Sequence, residues 1–336
     1  MKSVHSLLAQ VNVLRDSDIE KLMSIGHSRQ YATGASMIAA GQPLDSIYLC
    51  LDGEYAEILP ANGQSEVLTT LKAGDLFGEA ALLDQRPAAM TIQATTPSEV
   101  LLIPRQQIIQ RLTQDQDFAG AFYHFMAVKL SQRLRHLSNL MAKRQIKEGE
   151  PLRKVLMVFA TLNDSDVAWM IANGTAKKAA PESALIQQGQ SVPAVYLLLD
   201  GTLGVYISTG EKEIEVAKRV KGDILGEMSF VDGGNASATV RTLENAWILA
   251  IPQPLLAVKM QDDRGFASRF YRAIAQILST RCQDLLVRGG GVNLATEAMN
   301  FLSDDIEVED EIDLDILEGT AIAATRFDWL IHQLHR

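Results

Sequence analysis

The strongest constraint on the fold is an internal repeat with a fixed offset. The stretch LRDSDI (14–19) recurs as LNDSDV (162–167), and IYLCLDGEYAEI (47–58) recurs as VYLLLDGTLGVY (195–206). GDLFGEAALLD (74–84) recurs as GDILGEMSFVD (222–232), and FAGAFY (118–123) recurs as FASRFY (266–271). Every pair is separated by the same 148 residues. An offset that holds without a gap predicts a duplication in which both copies fold alike.

Each copy shows the pattern of helix, many short strands, then helix. A capping signal at Asp16 or Ser17, and its counterpart at Asp164 or Ser165, predicts the first helix. Short β-rich runs broken by glycine fill 31–103, and the pairs Asp52-Gly53 and Asp200-Gly201 predict hairpin turns. Apolar spacing predicts helices over 118–141 and 266–287. The fold class is therefore mainly β with flanking α: two tandem jelly-roll (β-roll) domains with N- and C-terminal helices.

The predicted domain limits follow from the repeat and from the charge distribution. They are a first domain over 1–141, a linker over 142–152, a second domain over 153–288, and a Gly hinge with an acidic tail over 289–336. The chain has 336 residues and a net charge of −10. Eleven acidic and two basic residues lie from Val292 onward, so the body is close to neutral. A near-neutral body followed by an acidic tail is not expected to bind DNA.

Four short motifs in the first copy carry a resemblance to a known family. Gly41-Gln42, Gly74-Asp75, Phe77-Gly78-Glu79 and Pro87-Ala88-Ala89 follow one another in the order found in cyclic-nucleotide-binding domains. The resemblance covers about 5–140 and 153–287, and the tandem order is similar to kinase regulatory subunits. It implies a phosphate-binding cassette in which a short helix offers N–H groups to a cyclic phosphate, a Glu accepts the ribose hydroxyl, and an Arg binds the phosphate.

Carried over by position, the resemblance assigns a cassette to each copy. The turn and the ribose-binding Glu correspond to Gly78, Glu79, Gly226 and Glu227, and the small residues correspond to Ala89, Ser237 and Ala238. The arginine corresponds to Ala88 and Ala236, so both copies lack it. Losing a bidentate charge-assisted pair costs ~10² or more in affinity. Tight cyclic AMP binding is therefore not expected.

Several readings of the cassettes stay open at this point. Arg86 either reaches the same phosphate from a shifted loop or is a solvated loop residue. Each Glu is either a ligand group or a helix-capping group. In the second copy no basic residue follows Glu227 until Arg241, so Asp232 and Glu227 leave that cassette negatively charged. The basic stretch 133–154 is expected to present a solvated helix face.

The acidic tail predicts a protein partner. Apolar residues alternate with acids at Ile306, Val308, Ile312, Leu314 and Ile316, a pattern typical of an extended segment that docks on a sheet edge or groove. The closing RFDWLIHQLHR adds Trp329 as a docking candidate. The alternative is a disordered, solubilising tail.

No catalytic or metal-binding constellation is present in the sequence. The six histidines lie outside the predicted strand stretches, and the two cysteines form no recognisable framework. No apolar run is long enough to span a bilayer, and no secretory signal is recognisable, so we expect a cytoplasmic protein. The prediction is a non-enzymatic regulatory or signalling protein that senses a nucleotide or small anion weakly or atypically and acts through partner proteins. The alternative is a ligand-free scaffold or adaptor with degenerate nucleotide sites and an acidic tail that docks a partner. The only cofactor implied is a cyclic nucleotide.

Overall fold

The computed structural model describes residues 7–8, 11–61, 64–83, 86–144, 157–210, 212–289 and 314–335. These residues form two compact units. The first contains the described residues up to Leu130 together with 286–289, and the second contains 131–285 and 314–335.

The first copy follows the predicted order of helix, strands and helix. Helix α1 is Asp16–Ile25, and the strands and short helix that follow are β1 His27–Tyr31, β2 Ser36–Ile38, β3 Ser46–Asp52, β4 Glu54–Ala61, β5 Gln64–Lys72, β6 Leu76–Phe77, α2 Ala80–Leu83, β7 Thr91–Ala94 and β8 Ser98–Pro104. Two helices end the copy, α3 Arg105–Gln114 and α4 Gln116–Arg144. Helix α4 contains the predicted helix over 118–141, whereas α3 has no counterpart among the predicted elements.

The second copy repeats this order. Its elements are α5 Met157–Thr161, α6 Asp164–Asn173, β9 Thr175–Ala179, β10 Ala184–Ile186, β11 Ala194–Asp200, β12 Leu203–Ser208, β13 Glu213–Arg219, β14 Ile224–Leu225, α7 Glu227–Asp232, β15 Thr239–Thr242, β16 Ala246–Pro252, α8 Gln253–Asp262 and α9 Arg264–Gly289. Most strands begin and end 148 residues after their counterparts, so the duplication extends from sequence to structure.

Each copy builds two four-stranded antiparallel sheets, which confirms the jelly-roll class. In the first copy the strand orders are β1-β8-β3-β6 and β2-β7-β4-β5; in the second they are β9-β16-β11-β14 and β10-β15-β12-β13. The register also repeats, since His27 pairs with Leu102 and Thr175 pairs with Ala250. Alternating apolar residues from the two sheets meet inside, around Tyr55 and Phe77 in the first copy and Leu198 and Ile248 in the second.

The predicted hairpins at Asp52-Gly53 and Asp200-Gly201 are wrong. Strands β3 and β4 belong to different sheets, and so do β11 and β12, so each Asp-Gly pair is a corner where the chain changes sheet. Gly53 has a φ of 88° and Gly201 a φ of 90°, which only glycine adopts without strain. An Asp-Gly pair can form a turn within a hairpin or a corner between two sheets. Residues distant in sequence determine which strand pairs with which, so the dipeptide alone does not distinguish the two.

Helices α1 and α6 begin near the predicted residues but with different caps. The N-cap positions are Arg15 and Asn163. Asn163 Oδ1 accepts a hydrogen bond from the Asp166 N–H at 2.9 Å, and the Asp166 carboxylate accepts one from the Asn163 N–H at 2.9 Å. The pair forms a reciprocal capping box, with Asp166 in the place usually held by Glu or Gln.

The acidic tail ends in a helix, α10, over Leu314–Leu334. The predicted extended conformation is therefore wrong at Leu314 and Ile316, while Ile306, Val308 and Ile312 lie outside the described residues. Phe327 and Leu330 are buried, and Phe327 packs edge-on against Phe159 of α5 with ring centroids 5.1 Å apart. Apolar residues at helical spacing, including Ala323, bury one face of α10 on the second unit.

Candidate functional site

Each cassette begins with a glycine turn that brings the following glutamate into the interior. Gly78 has a φ of 76° and Gly226 a φ of 77°, and in both the backbone passes close to a neighbouring strand. A Cβ atom would lie 2.9 Å from the Ser46 carbonyl oxygen at Gly78 and 2.7 Å from the Ala194 carbonyl oxygen at Gly226. The turn therefore requires glycine for conformation and for space.

The position of the missing arginine is fixed by two backbone hydrogen bonds in each copy. The Ala88 N–H donates to the Gln42 carbonyl at 3.0 Å, and the Gly41 N–H donates to the Ala88 carbonyl at 2.8 Å. Ala236 makes the same pair of bonds with Gln190 and Gly189, both at 2.9 Å. The Gly-Gln motif thus holds the arginine position in place.

At this position both copies present an alanine to the apolar interior. Ala88 is 9% exposed and Ala236 is 8% exposed, and each belongs to the core cluster between its two sheets. The cassette backbone is retained, whereas the side chain at the phosphate-binding position is a single apolar methyl group.

In the second copy the cassette glutamate is engaged inside the protein. Arg281 of α9 donates from Nη1 to Glu227 Oε1 at 2.6 Å and from Nη2 to the Ile224 carbonyl at 2.8 Å. Asp223 lies further off, 3.6 Å from Nη2. Glu227 is 2% exposed and Arg281 is 8% exposed, so the pair is shielded from water. Glu227 thus has an ion-pair partner on α9, a role that is neither the ligand group nor the helix cap considered from the sequence.

The prediction of a negatively charged second cassette is wrong, because arginines distant in sequence compensate both carboxylates. Arg281 pairs with Glu227, and Arg135 pairs with Asp232 through Nε at 2.8 Å. Arg135 also departs from the solvated face expected of 133–154, since its guanidinium contacts the cassette loop. Neither arginine was singled out from sequence. A usable signal was present for Arg281, because the 148-residue offset places an arginine at both 133 and 281.

The first cassette is built on the same kind of turn. Glu79 is buried, and its carbonyl accepts hydrogen bonds from the N–H groups of Leu82 and Leu83, both at 3.0 Å, which start the short helix α2. Arg86 and Ala89 are half-buried on the same loop. The structure thus brings Gly78, Glu79 and Ala88 together around one turn, with Arg86 two residues before the arginine position.

The small residues of the second cassette line a narrow cavity. Ser237 and Ala238 are half-buried, and the Ser237 Oγ lies 4.0 Å from Met228 Sδ. The cavity has a volume of about 80 Å³ and is lined by residues that include Glu227, Ala236, Ser237, Ala238 and Arg281. Sites for small molecules usually measure roughly 300–1,000 Å³. In this conformation the second cassette has no room for a nucleotide.

Other polar or aromatic candidates belong to the core. Tyr48 stacks on Phe77 with ring centroids 4.9 Å apart, and Tyr196 is buried in the second copy. Burial raises the pKa of the Cys50 thiol well above its ordinary value, so Cys50 is a packing residue and a poor nucleophile. His27 begins β1 and is exposed, so one histidine does lie in a strand but outside the barrel interior.

Two general features of the described residues bear on function. Within the described ranges, no helix is both long enough and apolar enough to cross a membrane. Among the same residues, no group of three or more His, Cys, Asp or Glu side chains is arranged to hold a metal ion.

The fold and the two turns define a tandem β-roll protein with a phosphate-cassette-like loop in each copy. The chain belongs to the cyclic nucleotide-binding domain family, whose model matches residues 28–115 and 176–263. These two matches cover nearly all of both β-rolls, and both cassettes lie inside the matched ranges.

Curated relatives include the cAMP-dependent protein kinase type II regulatory subunit of Drosophila melanogaster, 23% identical over 229 residues, which are 68% of this chain and 52% of the relative. The cAMP-activated global transcriptional regulator CRP of Pasteurella multocida is 28% identical over 127 residues, 37% of this chain and 61% of the relative. The chain thus spans about half to three-fifths of the length of these two relatives. Among solved structures, the regulatory subunit of a cAMP-independent protein kinase A from Trypanosoma brucei matches with 16% identity and a TM-score of 0.32, over 78% of this chain and 92% of that one.

Proposed function

We propose that this protein is a non-enzymatic cytoplasmic regulator that binds a nucleotide or small anion weakly at its first cassette and acts through partner proteins. The observation that carries the proposal is the buried Ala88 in the arginine position of a cassette whose turn and glutamate are retained. The relatives named as kinase regulatory subunits and as a transcriptional regulator support a regulatory role. The proposed domains are 1–141 and 153–288, with the linker 142–152 and the tail 289–336.

The weak binding follows from what remains in the first cassette. Without an arginine at position 88, a phosphate would rely on backbone N–H groups, and Arg86 is the nearest cation in sequence. One charge-assisted hydrogen bond contributes about 1.5–3 kcal/mol to binding. Loss of the two bonds of a bidentate arginine therefore lowers the affinity for a phosphate enough to make binding weak. Glu79 would accept the ribose hydroxyl, as the family resemblance implies.

The proposed partner surface includes the outer face of α10. Ile322 is 45% exposed and Trp329 is 39% exposed, seven residues apart and hence on one side of the helix. Leu314 and Ile316 lie in the first turn of the same helix. The acidic residues before α10 would favour a partner with a basic rim around an apolar groove.

A second candidate function is a scaffold that binds no ligand in either cassette. The observation that favours it is the internal pairing of Glu227 with Arg281 beside a cavity of about 80 Å³. That arrangement uses the second cassette as core structure. The regulator requires Glu79 to contact a ligand, whereas the scaffold does not.

Calorimetric titration of the full chain with cyclic AMP, cyclic GMP and a cyclic dinucleotide distinguishes them. We expect weak binding of one of these at a single site, lost in Glu79→Gln and kept in the matched variant Glu227→Gln. Absence of heat with all three compounds would favour the scaffold. Binding that survives Glu79→Gln would place the ligand elsewhere and overturn the proposal.

A further inference from the structure

The end of helix α4 lies on the second cassette. Residues from Ser131 to Arg144 belong to the second unit, and one face of this segment contacts that unit. The contacting residues are Ser131, Leu134, Arg135, Ser138 and Ala142. Their spacing of three, four and seven residues places them on one side of the helix.

Arg135 and Ser131 hold the loop that follows helix α7. Arg135 Nε donates to Asp232 Oδ2 at 2.8 Å, and Nη2 donates to Oδ1 at 3.1 Å, which is the bidentate geometry of a strong arginine–carboxylate pair. Arg135 Nη1 donates to the Asn235 carbonyl at 2.8 Å, and Ser131 Oγ donates to Asp232 Oδ2 at 2.8 Å. Asn235 directly precedes Ala236, so these bonds hold the loop next to the position of the missing arginine.

Small and apolar residues of the same helix face line the cavity behind this loop. Leu134 and Ser138 line the cavity of about 80 Å³ together with Ala236 and Glu227. One helical turn further on, Ala142 is fully buried against Ile207, Val216 and Ala217 of the barrel. A ligand of nucleotide size could enter only if this helix segment moved away.

We propose that residues 131–144 form an autoinhibitory lid on the second cassette, latched by the pairing of Arg135 with Asp232. The lid uses space and hydrogen-bonding groups that a ligand would need, so the closed state and ligand binding exclude each other. The apparent affinity of the second cassette is then reduced by the small fraction of open molecules. This inference concerns the second cassette and holds whether or not the first cassette binds a ligand.

Amide hydrogen exchange of the full chain tests the latch without any ligand. In Arg135→Gln we expect peptides over 131–144 and 226–238 to exchange faster by about 10-fold or more, the factor for one lost charge-assisted hydrogen bond. Asp232→Asn should have the same effect, and the double variant should add little because both changes break one interaction. Arg272→Gln, an exposed arginine on α9, is the matched control and should exchange like the native protein. Native exchange rates in both segments of Arg135→Gln would overturn the latch.

A binding measurement tests whether the lid is a barrier. In the Ala236→Arg background, which restores the missing cation, adding Arg135→Gln should tighten cyclic AMP binding by about 10-fold or more. In the Ala88→Arg background the same change should leave the affinity unchanged, because that site lies in the first copy. Equal affinity with and without Arg135→Gln in Ala236→Arg, or no binding in either, would overturn the barrier role. Weak binding to the native first cassette is a separate measurement, so the two proposals fail separately.

Discussion

Replacing Arg281 with methionine should destabilise the second unit strongly. The change leaves the carboxylate of Glu227, which is 2% exposed, without the cation 2.6 Å away, and it removes the hydrogen bond to the Ile224 carbonyl. Removing one partner of a buried ion pair costs about 3–5 kcal/mol, because the remaining charge stays desolvated. For a unit of ~150–250 residues this corresponds to a fall in Tm of about 6–20 °C.

The assay for this unit is built into the sequence. All three tryptophans, Trp169, Trp247 and Trp329, lie in the second unit, so tryptophan fluorescence follows its unfolding in urea without a contribution from the first. The double variant Arg281→Met with Glu227→Met should recover most of the lost stability, since replacing both charges with apolar groups is often neutral.

Exposed Arg272 on the same helix provides the control, and Arg272→Met should change the free energy of unfolding by less than about 0.5 kcal/mol. A loss of stability in Arg281→Met no larger than in this control would show that the buried pair does not stabilise the second unit. A double variant that loses the sum of both single changes would show the same, because the charges would then act independently.

Three further predictions concern the frame around the cassettes. Gly201→Ala should lower the free energy of unfolding by ~2–4 kcal/mol, measured by tryptophan fluorescence, because a positive φ is strained and a Cβ would lie 2.7 Å from the Asn245 carbonyl. Gly189→Ala, with a φ of +79° and open space around it, should lower it by only ~1–2 kcal/mol. Equal losses would contradict the close packing at the Gly201 corner. Phe327→Ala should lower the free energy of unfolding of the second unit by ~3–5 kcal/mol in the same assay, whereas Ile322→Ala, at an exposed position, should lower it by under ~1 kcal/mol. Equal losses would mean that α10 does not pack on the second unit. Burial disfavours the thiolate form of Cys50, which raises the pKa of the thiol above its ordinary value of 9.0. The contribution of the protonated thiol to stability is fully present below pH 9.0 and is lost as the pH rises toward the higher pKa of the folded state. The free energy of unfolding of the first unit, measured by calorimetry, should therefore fall more steeply above pH 9.0 in the native protein than in Cys50→Ala. Identical dependence on pH in the two proteins would contradict the raised pKa of the thiol.

Much of the fold was predictable because the duplication made every local signal appear twice. The strands, the flanking helices and the Gly78 and Gly226 turns follow from short-range patterns. The corners at Gly53 and Gly201 were mistaken for hairpins, since the dipeptide sets the turn while distant residues select the partner strand. Helix α10 was obscured by the acid–apolar alternation before it, although Ala323, Phe327 and Leu330 carry helical spacing.

The cassette was predictable in its backbone and unpredictable in its charge balance. The alanines at 88 and 236 could be read directly from the motif. Arg135 could not, because it lies 97 residues from Asp232. Arg281 lies 54 residues from Glu227, and its only signal was the arginine at the equivalent position 133 of the first copy. Such pairs depend on how a long helix packs over a loop, which local patterns do not encode.

The missing arginine, and no defect of the turn, is proposed to limit binding at the first cassette. Calorimetric titration of cyclic AMP into the native chain and into Ala88→Arg tests this most directly. We expect a gain of ~10² or more in affinity for Ala88→Arg, the value of a restored bidentate charge-assisted pair. Native affinity equal to that of the variant would contradict it.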